Sequence, residues 1–352
     1  MIRTTDATAA VVRGAVCVLL LACGAMWPHA ATAGEIVDSA GRKVAVPDHV
    51  ERVIAAGPPA SALMTILAPE KLLGWNRKPL DADLPYLPAV TRDLPVIGRL
   101  TGRGNTANLE SIRAMKPDLI VDFGTIADTY TSLADRTQSQ TGIRYVLIDG
   151  RFAQTVQVLN LLGPALGVAP RAQLLAARFQ SVVDRLDAVL RTVPEGARPH
   201  VYLARRDNGL ETSYRGSLNT EIIERAGGIN VVDTGQIQGG LVHVSLEQIL
   251  VWNPDTIITT DPDFAAAVKT AAVWRNVAAV QQKRVFLSPR LPYGWIDEPP
   301  SLNRALGLVW LSHIFFPDRV PGDMRSEARE LHKLFYQVDL TDAELDTLLS
   351  GQ

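Results

Sequence analysis

The chain has 352 residues and a formal net charge of −2, from 35 basic and 37 acidic side chains. This length allows two domains with separate cores, and the balanced charge gives no reason to expect nucleic acid or an anionic membrane as a partner. Both cysteines, Cys17 and Cys23, lie within the first 33 residues. The remainder of the chain therefore has no disulfide, thiol nucleophile or thiolate metal ligand.

The first 33 residues are predicted to form a cleavable secretory signal. Two arginines precede an apolar run over residues 15–27, and a small-residue cleavage site, Ala-Thr-Ala, occupies residues 31–33. The run is too short to span a bilayer as a helix. We therefore expect a soluble, exported, periplasmic protein. Lipid attachment at Cys23 is an alternative, because the residues before it loosely resemble a lipobox.

Residues 34–151 are predicted to form a first α/β lobe. The pattern over residues 35–46 is typical of a hairpin, and residues 52–56 form a strand that ends in a Gly-Pro-Pro turn. A helix, a proline-rich loop over residues 80–95 and a further strand over residues 143–148 follow.

Residues 152–196 are predicted to form linking helices, of which the second is a long backbone helix. Its apolar side chains recur in steps of three and four, which places them on one helical stripe: Leu175, Phe179, Val182, Leu186, Val189 and Val193. Pro170 suits its first turn and Pro194 its end.

Residues 197–352 are predicted to form a second α/β lobe. It begins with a strand over residues 200–204 and a polar loop, and it ends with helices between residues 301 and 349.

A repeated segment relates the two predicted lobes. Residues 108–121 and residues 245–258 each combine a short helix, a Pro-Asp turn and a buried apolar strand, a unit typical of parallel sheets. Six residues recur at a constant offset: Leu109, Glu110, Ile112, Pro117, Asp118 and Ile120 return as Leu246, Glu247, Ile249, Pro254, Asp255 and Ile257. The repeat predicts two similar α/β lobes joined by the backbone helix.

This arrangement resembles the class of ABC-transporter substrate-binding proteins that have a rigid helical backbone. The resemblance covers nearly the whole chain after residue 33, and its most specific parts are the two Leu-Glu…Pro-Asp units, the long helix and Gly-Gly-Ile-Asn-Val-Val at residues 227–232. It implies two Rossmann-like lobes with short parallel sheets and a ligand cleft between them. It also implies an inner-membrane permease dimer as partner. We expect a monomer with no catalytic residue and no cofactor.

The resemblance also implies a role for the repeated glutamates. In the vitamin B12-binding member of the class, the glutamate of each unit docks on arginines of the permease. Those positions correspond here to Glu110 and Glu247. One carboxylate in each lobe is physically suited to a pseudo-symmetric partner.

Ligand contacts are expected from loops that follow the carboxyl ends of the strands. These loops are rich in arginine, which suits carboxylates and oxyanions, and in aromatic residues, which suit a flat or catecholate ligand. The predicted ligand-binding residues are Arg99, Arg103, Arg205, Tyr214, Arg215, Arg290, Tyr293 and Trp295.

The first ligand hypothesis is a metal chelate, namely a ferric siderophore or related iron complex. Haem and vitamin B12 remain open. Molybdate or tungstate is the alternative, because residues 293–304 resemble a segment of iron-annotated and molybdate-binding members, and an oxyanion could sit at a helix start near Ser301. Direct binding of a free metal ion is not expected, because only His243 among the six histidines lies near a predicted cleft loop.

A nucleotide-dependent enzyme is the rival hypothesis from a different class. Gly102-Arg-Gly-Asn-Thr-Ala107 imitates a dinucleotide fingerprint after a short strand. The acidic residue that should follow would be Asp122, at the wrong end of a strand. No nucleophile elbow or catalytic triad order supports an enzyme.

Overall fold

The computed structural model describes residues 34–102, 104–233 and 240–351. The predicted signal and Cys23 lie outside these residues. The first lobe contains a parallel sheet in the order β3-β4-β5 and an antiparallel hairpin, β1-β2. Its elements are β1 Gly34–Val37, β2 Lys43–Val46, β3 Val53–Ala55, α1 Pro58–Leu67, α2 Leu109–Ala114, β4 Leu119–Gly124, α3 Asp128–Thr141 and β5 Arg144–Asp149.

Two helices then lead to the second lobe, α4 Thr155–Ala165 and the backbone helix α5 Ala169–Leu190. The 22 residues of α5 span about 33 Å. The predicted apolar stripe from Leu175 to Val189 is its buried face, whereas Val193, the last predicted member, is buried beyond the end of the helix. A Cβ atom on Gly163 would lie 2.3 Å from the Ala172 Cβ, so only glycine allows α4 and α5 to pack this closely.

The second lobe contains a parallel sheet in the order β11-β10-β6-β8 and an antiparallel pair, β7-β9. Its strands are β6 His200–Ala204, β7 Glu211–Ser213, β8 Ile229–Asn230, β9 Leu241–His243, β10 Thr256–Thr259 and β11 Val285–Leu287. Its helices are α6 Glu221–Arg225, α7 Leu246–Trp252, α8 Pro262–Ala267, α9 Ala278–Gln281, α10 Arg304–Phe315, α11 Met324–Tyr336 and α12 Asp342–Ser350. The prediction of two α/β lobes with parallel sheets and one long backbone helix is confirmed.

The repeated Pro-Asp turn has the same structural role in both lobes. Asp118 Oδ2 accepts hydrogen bonds from the backbone N–H groups of Glu51 and Arg52 at 2.8 and 2.9 Å. Asp255 Oδ2 accepts one from the His200 N–H at 2.9 Å. Each aspartate thus joins the start of its own strand to the start of the neighbouring parallel strand, and this explains why the Pro-Asp pair recurs.

A buried ion pair joins the two lobes at their base. The Arg304 side chain is fully buried, pairs with Glu221, and donates a 2.7 Å hydrogen bond to the Gly150 carbonyl of the first lobe. Glu221 also accepts a hydrogen bond from the Phe152 N–H at 2.8 Å. The buried guanidinium is therefore paired with a carboxylate and bonded to carbonyl oxygens, as a buried charge requires.

Further contacts cross between the lobes nearer the cleft. The hydroxyls of Tyr293 and Thr65 are 3.0 Å apart, and the Ser301 hydroxyl donates to the Pro59 carbonyl at 2.9 Å. Because Ser301 is held in a turn by this bond, the helix predicted to start near it begins instead at Arg304.

The last two helices also contact the first lobe. The Tyr86 hydroxyl donates to the Glu344 carbonyl of α12 at 3.1 Å. Arg171, in the first turn of α5, donates to the Ile66 carbonyl of α1 and to the Leu334 carbonyl of α11 at 3.1 Å. The C-terminal helices, predicted as part of the second lobe, therefore pack on both sides of the junction.

These contacts predict that the lobes move little when a ligand binds. A packed helix with buried lobe-to-lobe bonds bends less easily than extended linkers, so we expect a closure of only a few degrees. Small-angle scattering with and without ligand should give nearly the same radius of gyration. A large compaction would contradict the rigid arrangement.

The fold also predicts a loss of stability in acid that depends on His332. This side chain is fully buried between the rings of Tyr86 and Tyr336, with centroids at 5.9 and 4.8 Å, and burial lowers its pKa to about 4. The unfolded chain binds the proton near pH 6.5, so the free energy of unfolding should fall as the pH drops from about 6.5 towards 4, by up to about 3 kcal/mol.

The measurement is denaturant unfolding of wild type and His332→Phe across this pH range. The difference between the two proteins isolates the histidine from other titrating groups. An identical pH dependence for both would show that His332 does not contribute.

Candidate functional site

A cavity of about 510 Å³ lies between the two lobes. The first lobe contributes the turn after β3, residues 75–80, Asp83 and Arg99. The second lobe contributes Arg206 and residues 288–290, 292–294 and 297–299. Several of these segments follow the carboxyl ends of parallel strands, where side chains from different strands meet. Gly57, at the end of β3, approaches Thr101 so closely that a Cβ would lie 2.4 Å from its hydroxyl oxygen.

Three basic side chains of the cavity, Arg77, Lys78 and Arg290, are exposed and form no ion pair or hydrogen bond with another described residue. Asp83 lies near two of them. Burial raises the pKa of Asp83, and the positive charges of Arg77 and Arg290 act against that increase. Unpaired cations on both lobes make the cavity suited to an anionic ligand.

The acidic side chains on the second-lobe wall are engaged by arginines. Arg205 is 3% exposed and contacts Glu211 at 3.0 Å, Asp297 at 3.2 Å and Glu298. Arg206 lies 3.1 Å from Glu211. Burial raises the pKa of Asp297, and Arg205 opposes this effect. The carboxylates of this wall therefore form a compensated charge network, and on the opposite wall Asp83 lies near Arg77.

Three of the predicted ligand-binding residues line the cavity: Arg99, Arg290 and Tyr293. Arg99 donates a 3.0 Å hydrogen bond to the Gly104 carbonyl, which fixes its loop. Arg103 lies outside the described residues.

The other four predicted ligand-binding residues lie away from the cavity lining. Arg205 is buried behind the wall, and Trp295 is fully buried within the fold. Arg215 pairs with Asp233 at 2.7 Å and donates to the Asn230 carbonyl, and Tyr214 packs on the core of the second lobe. Contacts within the second lobe therefore hold both residues away from the cavity lining.

Four cavity residues were not predicted from the sequence: Asn76, Arg77, Lys78 and Glu298. The first three follow Trp75, which forms a single bridge with Val96. A single bridge involves too few residues to give the alternation of apolar and polar side chains by which a strand is recognised in a sequence. The strand-like segment at Trp75 could therefore not be predicted. The feature of the sequence that could have indicated these residues is the polar run Asn-Arg-Lys at residues 76–78, directly after Gly-Trp.

The part of the chain that the structure describes contains no group of three or more His, Cys, Asp or Glu residues arranged to hold a metal ion. No helix within those same ranges is long and apolar enough to cross a membrane. The cavity therefore offers charged groups to a complete anionic ligand and no preformed set of metal ligands.

The repeated glutamates occupy equivalent exposed positions. Glu110 is the second residue of α2, whose N-terminus is capped by Asn108, and Glu247 is the second residue of α7, capped by Ser245. Hydrogen bonds from its own backbone N–H and from Ser245 lower the pKa of Glu247. Both helices lead into the starts of strands, so their N-termini lie at the end of each lobe that borders the cleft.

Comparisons of the sequence and of the structure with known proteins both find solute-binding proteins. The molybdate-binding protein MolA of Haemophilus influenzae is 28% identical over 336 residues, which are 86% of this chain and 90% of MolA. The structure of MolA bound to molybdate has a TM-score of 0.73, at 24% identity, and covers 88% of this chain and 99% of that one.

An ABC transporter solute-binding protein from Sulfurospirillum deleyianum is 30% identical with a TM-score of 0.81, over 89% of this chain and 98% of that one. These similar proteins are binding components of transporters rather than enzymes. The family model described as "Periplasmic binding protein" matches residues 76–290. With more than half of the sequence in that match and both lobes reproduced in solved relatives, the chain belongs to the periplasmic binding proteins of ABC transporters.

Proposed function

We propose that the protein captures an anionic metal chelate, with a ferric siderophore or related iron complex as the first candidate, and delivers it to an ABC permease. The observation that carries this proposal is the inter-lobe cavity, in which Arg77 and Lys78 from one lobe and Arg290 from the other are exposed, with Asp83 as a nearby carboxylate of the lining. Guanidinium and ammonium groups that are not neutralised by the protein favour a ligand that brings negative charge.

The size of the cavity favours a chelate. Its 510 Å³ falls within the usual range for sites that hold an organic ligand, roughly 300–1,000 Å³. At about 30 Å³ for each water, it would hold roughly 17 waters. A tetrahedral oxyanion has only a few non-hydrogen atoms and would fill a small part of it. The lobe-to-lobe bonds of Arg304 and Tyr293 argue against a closure that would remove the excess volume.

Molybdate or tungstate is the second candidate ligand. It is supported by the similarity to MolA over most of both chains, and by the same unpaired cations. The placement of Tyr214 and Trp295 outside the cavity lining weakens the support for a flat ligand such as haem, because the aromatic faces expected to stack on it are used in packing.

Calorimetric titration of the purified protein with a ferric catecholate, ferric citrate, molybdate and tungstate tests both candidates. Native mass spectrometry with elemental analysis of protein from its host identifies the metal that co-purifies.

We expect Arg290→Ala to weaken binding by about 1.5–3 kcal/mol, because it removes a charge-assisted hydrogen bond. Arg215→Ala is the matched control and should bind normally, because its partner is Asp233.

Tighter binding of molybdate than of every ferric complex would favour the second candidate. Binding of none of the four would overturn the function. Equal losses in Arg290→Ala and Arg215→Ala would show that the cavity is not where the ligand binds.

Delivery to the permease is proposed to use Glu110 and Glu247. Both are exposed, both sit in the first turn of an equivalent helix, and each lobe supplies one. A permease dimer with one basic pocket in each subunit would engage both at once. Two-point attachment multiplies the separate affinities through effective concentration, so the loss of either contact should weaken docking strongly.

Charge reversal at both positions, Glu110→Arg with Glu247→Arg, should abolish uptake. Ligand affinity and the melting temperature should be nearly unchanged, because both positions are surface sites in a helix first turn. The check is a transport assay beside a binding assay on the same double variant. Normal uptake would refute the docking role, and loss of ligand binding in solution would assign these residues to the cleft or the core.

A further inference from the structure

Apolar side chains line the inter-lobe cavity beside its cations. The apolar and aromatic lining residues that are not fully buried are Pro58, Pro79, Leu80, Tyr293 and Pro299. Four of them are half-buried, whereas Leu80 is 52% exposed. The cavity wall therefore offers apolar surface next to positive charge, and Leu80 is the part of that surface with the most area left to cover.

Two hydrogen bonds hold the turn that carries Leu80. The Leu80 N–H donates to Asp83 Oδ2 at 2.8 Å, and the Asp83 N–H donates to the Leu80 carbonyl at 2.9 Å. The ring of Pro79 restricts the backbone just before this turn. Both bonds use the backbone of Leu80, so neither needs its side chain. Because the turn is already fixed, a ligand that covers Leu80 orders little additional backbone when it binds.

The position of Leu80 in the chain pairs it with charge. Arg77 and Lys78 come shortly before it in the same segment and line the same cavity. A tetrahedral oxyanion has no apolar surface, so it could use these cations but would leave Leu80 exposed. An organic anion whose apolar part covers Leu80 also gains the free energy of removing that side chain from water.

We infer that Leu80 binds an apolar part of the ligand, and that the ligand is an organic anion with both charged and apolar surface. Leu80 is thereby a residue that determines specificity. It favours iron complexes that carry aromatic or alkyl groups over complexes such as ferric citrate, whose surface is mostly carboxylate. This inference rests on the proposed function, since it names the class of chelate that the same cavity takes.

Val90 provides a matched control position. It lies in the same proline-rich segment as Leu80, it is 55% exposed, and it is outside the cavity lining. Truncation to alanine at either position removes exposed apolar atoms and keeps the backbone groups. Only the change at Leu80 alters the cavity wall.

The experiment is calorimetric titration of wild type, Leu80→Ala, Leu80→Met and Val90→Ala with a ferric tris-catecholate and with ferric citrate. We expect Leu80→Ala to weaken binding of the catecholate complex about fivefold, because it removes apolar contact area, and to leave binding of ferric citrate unchanged. Leu80→Met keeps an apolar side chain of similar volume and should bind the catecholate complex nearly as wild type does. Val90→Ala should bind both complexes normally.

Unchanged catecholate binding in Leu80→Ala would overturn the inference and leave the proposed function standing. An equal loss for ferric citrate would also overturn it, because that result would show a disturbed turn rather than a lost apolar contact. The same holds for an equal loss in Val90→Ala, or for tighter binding of ferric citrate than of the catecholate complex by wild type. If wild type binds molybdate and no ferric complex, the inference falls together with the first candidate ligand. If it binds none of these, the inference and the proposed function both fall.

Discussion

The Arg304–Glu221 pair at the base of the two lobes is the interaction on which the rest of the cleft depends. Arg304 is fully buried, so burial lowers its pKa, and Glu221 acts against that effect. The Arg304 guanidinium also donates hydrogen bonds to the carbonyls of Gly150 and Leu218. Removal of one member of a buried pair typically costs about 3–5 kcal/mol, because the other charge is then left without a partner. A change in the angle between the lobes would have to break these bonds, so the pair holds the cavity open at a set width.

The character of the cavity follows from how charge is distributed over its walls. Carboxylates on the second-lobe wall are compensated by Arg205 and Arg206, which are held in contact with Glu211. No comparable acidic network faces Arg77 and Lys78 within the described part of the chain. Exposed cations therefore lie on both walls, Arg77 and Lys78 on one and Arg290 on the other, with Asp83 near Arg77 and Arg290.

The internal repeat gives each lobe one exposed glutamate, the residue for which docking on the permease is proposed. In each lobe an aspartate joins the starts of two neighbouring strands. The helix that precedes it in the chain is six or seven residues long and carries a glutamate in its first turn. The buried isoleucine of each unit, Ile112 or Ile249, anchors that helix on its sheet. The glutamates are thereby held in equivalent positions, one on each side of a cleft whose width is set by the Arg304 pair.

By itself, the sequence determined the two α/β lobes, the long helix and the repeat, because these depend on local periodicity and on turn residues that act over a few positions. It also located Arg99, Arg290 and Tyr293 among the cavity residues, because loops at strand carboxyl ends converge in such folds. Only the tertiary structure decided which other polar residues line the cavity. Arg205, predicted as a contact, is buried by three carboxylates that lie 6, 92 and 93 positions away in the chain, and Asn76 enters the cavity through a strand-like bridge too short to leave a pattern. Long-range charge pairing and side-chain direction carry no periodic signal, so they could not be predicted before the lobes were assembled.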